Sequence, residues 1–243
     1  MAVHFLHVSK AGGSALRHAI RASRVQAGAR LASPWGRIRG HDHRFRFADV
    51  GSDEMAVITL RDPATRFVSG FLSRLRKGAP RYYNEWTPHE SQSFEWFSSP
   101  GALADALAEP SGELRERAEF ALRSIGHVKD PMIHWTGDAG YVRERAENVL
   151  YVARQETLDA HWELLKELLD LPRDQMLPRD PVVAHRSADV VDREISSKGV
   201  RALREWYAAD YELLELAEEM RQNGFPGLRH AGPPAAASRV SPS

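Results

Sequence analysis

The 243-residue chain contains no cysteine. Disulfides, thiolate metal sites and cysteine nucleophiles are therefore excluded, and the absence suits a reducing compartment. It has no apolar run of 18 residues, so no transmembrane helix is expected. It carries no net charge either, with Lys+Arg and Asp+Glu at 33 each. No chain-wide attraction to nucleic acid or to an anionic membrane is expected from that balance. The first residues, "MAVHFLHVSK", lack the basic start and long apolar stretch of a signal peptide and read as a first strand.

What is present is ordinary for a globular protein: 42% apolar and 27% charged residues. No internal repeat or clear boundary divides the chain. A single domain over residues 1–228 is expected, with a low-complexity, disordered tail over 229–243. Three short apolar runs predict strands at Val3–Val8, Met55–Leu60 and Asn148–Ala153. Helical spacing predicts helices at Ser14 to Ser23, from Pro63 onward, at Thr157–Leu171, and as one long helix from Arg193 to Asn223. Residues 92–126 read as mostly helical, with breaks at "SSPG" and "EPSG". Residues 24–50, 78–91, 130–140 and 173–191 read as loops or irregular segments. Strands alternating with helices predict an α/β, three-layer, P-loop-type fold with a central parallel sheet flanked by helices. Ligands of such sheets sit at the carboxyl ends of the strands.

Two polar loops follow predicted strands. In "SKAGGSAL" (Ser9–Leu16) a glycine pair lets backbone N–H groups approach a ligand, and a helix N-terminus follows. Lys10 adds a compact charge and Ser14 a hydroxyl. These features predict an anion site. The lysine precedes the glycines, unlike the GxxxxGK[ST] nucleotide loop, and no clear magnesium-binding aspartate ends a strand. In "RDPATRFVSGF" (Arg61–Phe71) a strand-end Arg61 and a helical Ser69 could hold a second phosphate, with Arg66 between them. Taken singly, each loop also reads as a plain strand-to-helix turn.

Taken together, the two loops resemble the sulfotransferase superfamily that uses 3'-phosphoadenosine 5'-phosphosulfate (PAPS). "SKAGGSAL" is similar to its 5'-phosphosulfate loop, with Ser9 in place of proline. "RDPATRFVSGF" is similar to its RDPxxRFxSxY 3'-phosphate motif, with Phe71 in place of tyrosine. "RGHDHRF", "DPMIHWTGD", "NVLYVARQETLDAHWELL" and "ALREWYAADYELLELA" resemble further segments, so the likeness spans about residues 3–220. It points to the carbohydrate O-sulfotransferase, family 2-like branch of bacterial type.

The resemblance implies sulfuryl transfer from PAPS to an acceptor hydroxyl on a glycan or glycolipid. The product would be 3',5'-adenosine bisphosphate, with no metal, no nucleic acid partner and a cytoplasmic location. It assigns Lys10 to the bridging oxygen and Ala11, Gly12, Gly13, Ser14 and Ala15 to the 5'-phosphate loop. Arg61 and Ser69 fall to the 3'-phosphate. The late loop of His185, Arg186 and Ser187 would close over the nucleotide, with Arg186 as a ligand. His41 of "GHDH" is the implied base, and His43 shares its side of an extended segment and assists. Tyr82, Tyr83, Trp86, His134 and Trp135 could line an acceptor cleft or pack on the sheet. Trp206, Tyr207 and Tyr211 are expected in the core. A nucleotide or small-molecule kinase and a catalytically silent nucleotide-binding homologue are the alternatives.

Overall fold

The computed structural model of the chain describes residues 1–26, 32–80, 82–178 and 194–230. Strand β1 (Ala2–Phe5) runs into α1 (Gly13–Gln26), followed by β2 (Ala32–Ser33) and β3 (Gly36–Gly40). β4 (Met55–Leu60) leads into α2 (Pro63–Leu75). Helices α3 (Pro88–Trp96), α4 (Pro100–Leu107), α5 (Glu113–Ser124), α6 (Ile133–Thr136) and α7 (Ala139–Glu144) precede β5 (Val149–Arg154). α8 (Leu158–Leu169), α9 (Ser197–Trp206), α10 (Ala208–Asn223) and α11 (Pro226–His230) complete the described chain.

The sheet order is β2-β3-β1-β4-β5. β3, β1, β4 and β5 are mutually parallel, and β2 adds an antiparallel edge. This is the expected α/β architecture, a parallel sheet flanked by helices. Every residue of β1 and β4 is buried, as strands covered on both faces must be. Leu16 and Ile20 of α1, Trp162 and Leu165 of α8, and Leu213 and Met220 of α10 share that core. A second apolar cluster joins Phe67 and Phe71 of α2 to Leu103, Leu122 and Leu203 of α4, α5 and α9.

Several boundaries differ from expectation. β1 ends at Phe5, so His7 to Lys10 belong to the loop. β3 lies in the segment expected to be irregular: in "GRIRG" only Ile38 is buried, and one apolar residue between two arginines leaves no alternation to read. The predicted loop 78–91 gives way to α3, whose Thr87 and Glu90 form a capping box. The loop 130–140 holds α6 and the start of α7. The long last helix breaks at Tyr207, which packs inward and donates its hydroxyl to the carbonyl of Val128 at 2.9 Å. Arg229 and His230 belong to α11 rather than to the tail. Residues 231–243 and the loop containing His185, Arg186 and Ser187 lie outside the described residues. Among the described residues, no helix is long and apolar enough to cross a membrane.

Candidate active site

The chain passes from β1 to β3 on one side and then to β4 on the other. The strand order therefore reverses between β1 and β4, and a crevice opens at their carboxyl ends. A cleft of about 820 Å³ lies there, lined by the loops after β1, β4 and β5.

The first loop is shaped by two backbone positions. Lys10 adopts φ 63° and Gly12 φ 89°, a region that costs a side chain energy and a glycine little. A Cβ at Gly13 would collide with the His7 ring, so only glycine lets α1 start this close to β1. Ser14 in the first turn of α1 is paired with His7 Nε2 at 3.2 Å. Lys10, Gly12, Gly13, Ser14 and Ala15 line the cleft. Ala11 is fully buried behind the turn.

The second loop starts α2 as the sequence implies. Asp62 Oδ1 accepts the Thr65 amide at 2.8 Å, and Pro63 follows in the first turn. Arg61 donates from Nε to Thr65 Oγ1 at 3.2 Å and from Nη1 to the Lys10 carbonyl at 3.3 Å. Burial lowers its pKa, while the carboxylates of Glu156 and Asp62 act the other way; the guanidinium remains charged. Ser69 lines the same cleft, and its hydroxyl has no hydrogen-bond partner among the described residues. Arg66 does not reach the cleft. It is 1% exposed, spans from the Ser9 carbonyl (2.9 Å) to the Asp130 carbonyl (2.6 Å), and lies over the Trp135 ring.

The histidines divide in a way the sequence did not suggest. His41 and His43 do not share a side. His41 Nε2 meets His4 Nδ1 at 2.9 Å, and His4 Nε2 lies 3.1 Å from Glu54 Oε2. The His41 ring stacks on Phe45 with centroids 3.6 Å apart. Burial, then the neighbouring His4 and Arg39, lower His41 to about 4. It lies outside the cleft lining, whereas His43 is part of it.

His43 stacks on His7 at 3.8 Å, and its Nδ1 lies 3.0 Å from the His7 carbonyl. A carbonyl only accepts, so Nδ1 carries the proton and Nε2 keeps a lone pair. Burial lowers the pKa of His43, which favours the neutral form. Its carbonyl takes the indole N–H of Trp135 at 2.8 Å. Trp135 is thus buried support rather than cleft lining, while His134 is exposed and meets Arg46 at 3.1 Å. Tyr82 lines the cleft; Tyr83 is exposed, and Trp86 donates to the Arg74 carbonyl.

Sequence reasoning missed His7, Arg17, His127, Gln155 and Glu156, all of which line the cleft. Gln155 and Glu156 sit in the "NVLYVARQETLDAHWELL" segment, where the likeness singled out no residue, and His127 lies 118 positions from its partner Ser9.

The cleft thus gathers three cations, Lys10, Arg17 and Arg61. The glycine turn, five hydroxyl side chains (Ser9, Ser14, Thr65, Ser69 and Tyr82) and the rings of His7, His43 and His127 lie with them. That set suits an anionic ligand. A family model described as the sulfotransferase family matches residues 5–217, and the chain belongs to that family, in its family 2-like branch. Comparison with curated proteins and with solved structures found no significant match.

Proposed function

We propose that the protein transfers a sulfuryl group from PAPS to a carbohydrate hydroxyl, with His43 as the base. Residues 1–228 are read as one transfer domain. The observation that carries this reading is that the Lys10 loop and the Arg61–Ser69 segment open on one cleft and are joined by the Arg61–Lys10 hydrogen bond. Two cation-bearing loops on one cleft fit a nucleotide phosphorylated at both its 3' and 5' positions. The unpartnered Ser69 hydroxyl and the glycine turn fit such a ligand.

PAPS supplies a sulfuryl group on a phosphate leaving group. Gly12, Gly13 and Ser14 hold the 5'-phosphate with N–H and O–H donors at the start of α1. Arg61 and Ser69 hold the 3'-phosphate. Lys10 meets the negative charge that grows on the bridging oxygen as the sulfur–oxygen bond breaks. The acceptor oxygen forms the new bond to sulfur in line, and His43 Nε2 takes its proton. No covalent enzyme intermediate is required, and positioning with charge stabilisation supplies the rate.

This assignment moves the base from His41 to His43, because His41 is engaged with His4 and Phe45 away from the cleft. The test is transfer of labelled sulfate from PAPS to polysaccharide and glycolipid fractions. Label in a carbohydrate product supports the reading. A PAPS-bound enzyme that labels only peptide or small-alcohol acceptors overturns the carbohydrate assignment.

A further inference from the structure

The cleft holds one group of polar side chains without a part in the chemistry above. His127 Nδ1 lies 2.9 Å from Ser9 Oγ, and its Nε2 lies 3.2 Å from the Tyr82 hydroxyl. All three residues line the cleft beside Lys10. Three loops from distant parts of the chain therefore meet through one imidazole.

The arrangement is over-determined. His127 sits at φ 65°, a left-handed conformation that a non-glycine residue keeps only where its surroundings enforce it. Arg66 pins the Ser9 carbonyl at 2.9 Å. Gly78, at φ 90°, lets the Tyr82 ring fold back on its own loop, and a Cβ there would collide with that ring. Ser9 also stands where the phosphosulfate loop it resembles carries proline, which has no hydroxyl.

A neutral imidazole between two hydroxyls must donate to one and accept from the other. A phenol is the stronger acid of the two and hence the better donor to nitrogen. The favoured direction is Tyr82 O–H to Nε2 and Nδ1–H to Ser9 Oγ. Ser9 then spends a lone pair on His127 and keeps its own proton.

We propose that Tyr82 and His127 form a directional hydrogen-bond relay that turns the Ser9 hydroxyl proton into the cleft, where it donates to an oxygen of the group being transferred. The proposal rests on the transfer reading above. His127 and Tyr82 act as positioning residues. Ser9 is the residue that touches the donor. No bond to Ser9 forms or breaks; its hydrogen bond strengthens as charge grows on the sulfuryl and bridging oxygens.

Two measurements test it. In ¹⁵N-histidine-labelled protein, assigned by comparison with His127→Gln, His127 should be neutral with its proton on Nδ1, and Tyr82→Phe should shift its Nε2 signal. A proton on Nε2 overturns the direction of the relay. The second measurement is release of 3',5'-adenosine bisphosphate from PAPS with water as acceptor. Ser9→Ala, Ser9→Pro and Tyr82→Phe should each lower it by roughly tenfold, the loss of one hydrogen bond to a charged group. The double variant Ser9→Ala/Tyr82→Phe should be no worse than Ser9→Ala alone, and 3',5'-adenosine bisphosphate should bind all of them as tightly as wild type. Additive losses, or turnover retained in Ser9→Pro, overturn the relay while leaving the transfer reading intact. A wild-type protein that breaks down no PAPS with water or any acceptor overturns the transfer reading itself, and the tautomer measurement still judges the relay.

Discussion

The Nε–H of Arg66 donates to the carbonyl oxygen of Ser9 at 2.9 Å, so a fully buried guanidinium on α2 holds the peptide that precedes the cleft lysine. The same side chain reaches the Asp130 carbonyl at 2.6 Å. Asp210, itself buried, accepts the neighbouring amides of Met132 and Ile133 and adds favourable charge for Arg66. One arginine thus ties the Lys10 loop to the segment before α6.

Arg66→Met removes the donor from the buried Ser9 carbonyl and from the part-buried Asp130 carbonyl, and leaves Asp210 without its nearby cation. The expected cost is about 3 kcal/mol, as for one partner removed from a buried charge network. Urea unfolding at neutral pH measures it. A loss under about 1 kcal/mol, the ordinary scale of a point substitution, contradicts the bracing role.

His43 and His41 separate function from stability. His43→Asn should lower turnover by about a hundredfold or more, the scale of a general base, with little change in nucleotide affinity. His41→Asn should leave turnover near wild type and lower stability by about 1–2 kcal/mol, since it strands His4 beside Glu54. Steady-state kinetics with thermal unfolding decides between them. The reverse pattern returns the base to His41.

The acid limb of the rate profile follows from His43. Burial lowers its pKa below the ordinary value of 6.5, and only the neutral ring accepts a proton. The limb in turnover should therefore have its midpoint below 6.5 and vanish in His43→Asn. A midpoint above 6.5 contradicts the assignment.

Stability should fall early on acidification. Burial lowers His41 to about 4 and His127 to about 3, from an ordinary 6.5. Between those values and 6.5 the unfolded chain binds more protons than the native one, so stability drops as pH falls. It is complete above 6.5. Glu90 adds a later loss: burial alone would raise it, but hydrogen bonds from Arg74 and two backbone amides hold it at about 2. Its contribution is present above 4.5 and disappears toward 2. Urea midpoints between about pH 7 and about pH 5 should therefore decline, and less steeply in His127→Gln. A flat profile over that range contradicts the two histidine shifts.

Much of the frame was legible because local chemistry and tertiary role agree. "MAVITL" is apolar on both faces and became β4, buried along its whole length. Asp62 and Pro63 read as a helix start and form one. The two anion loops were legible as motifs. What was hidden depends on contacts between distant residues. β3 survives on one buried isoleucine and its pairing with β1. The break at Tyr207 goes with a long-range hydrogen bond from its hydroxyl to the Val128 carbonyl, which no local pattern encodes. His41 and His43 look equivalent at spacing two, yet His41 meets His4 and His43 stacks on His7. Arg66, placed by the sequence only between Arg61 and Ser69, is a buried brace.

The central claim is a cleft built for two phosphate groups. Calorimetric titration with 3',5'-adenosine bisphosphate and with 5'-AMP tests it most directly. The bisphosphate should bind at least about tenfold more tightly, about 1.4 kcal/mol. That preference should disappear in Arg61→Ala and shrink in Ser69→Ala, while Lys10→Ala retains it. Equal affinity of the wild-type protein for the two nucleotides would contradict the two-phosphate clamp.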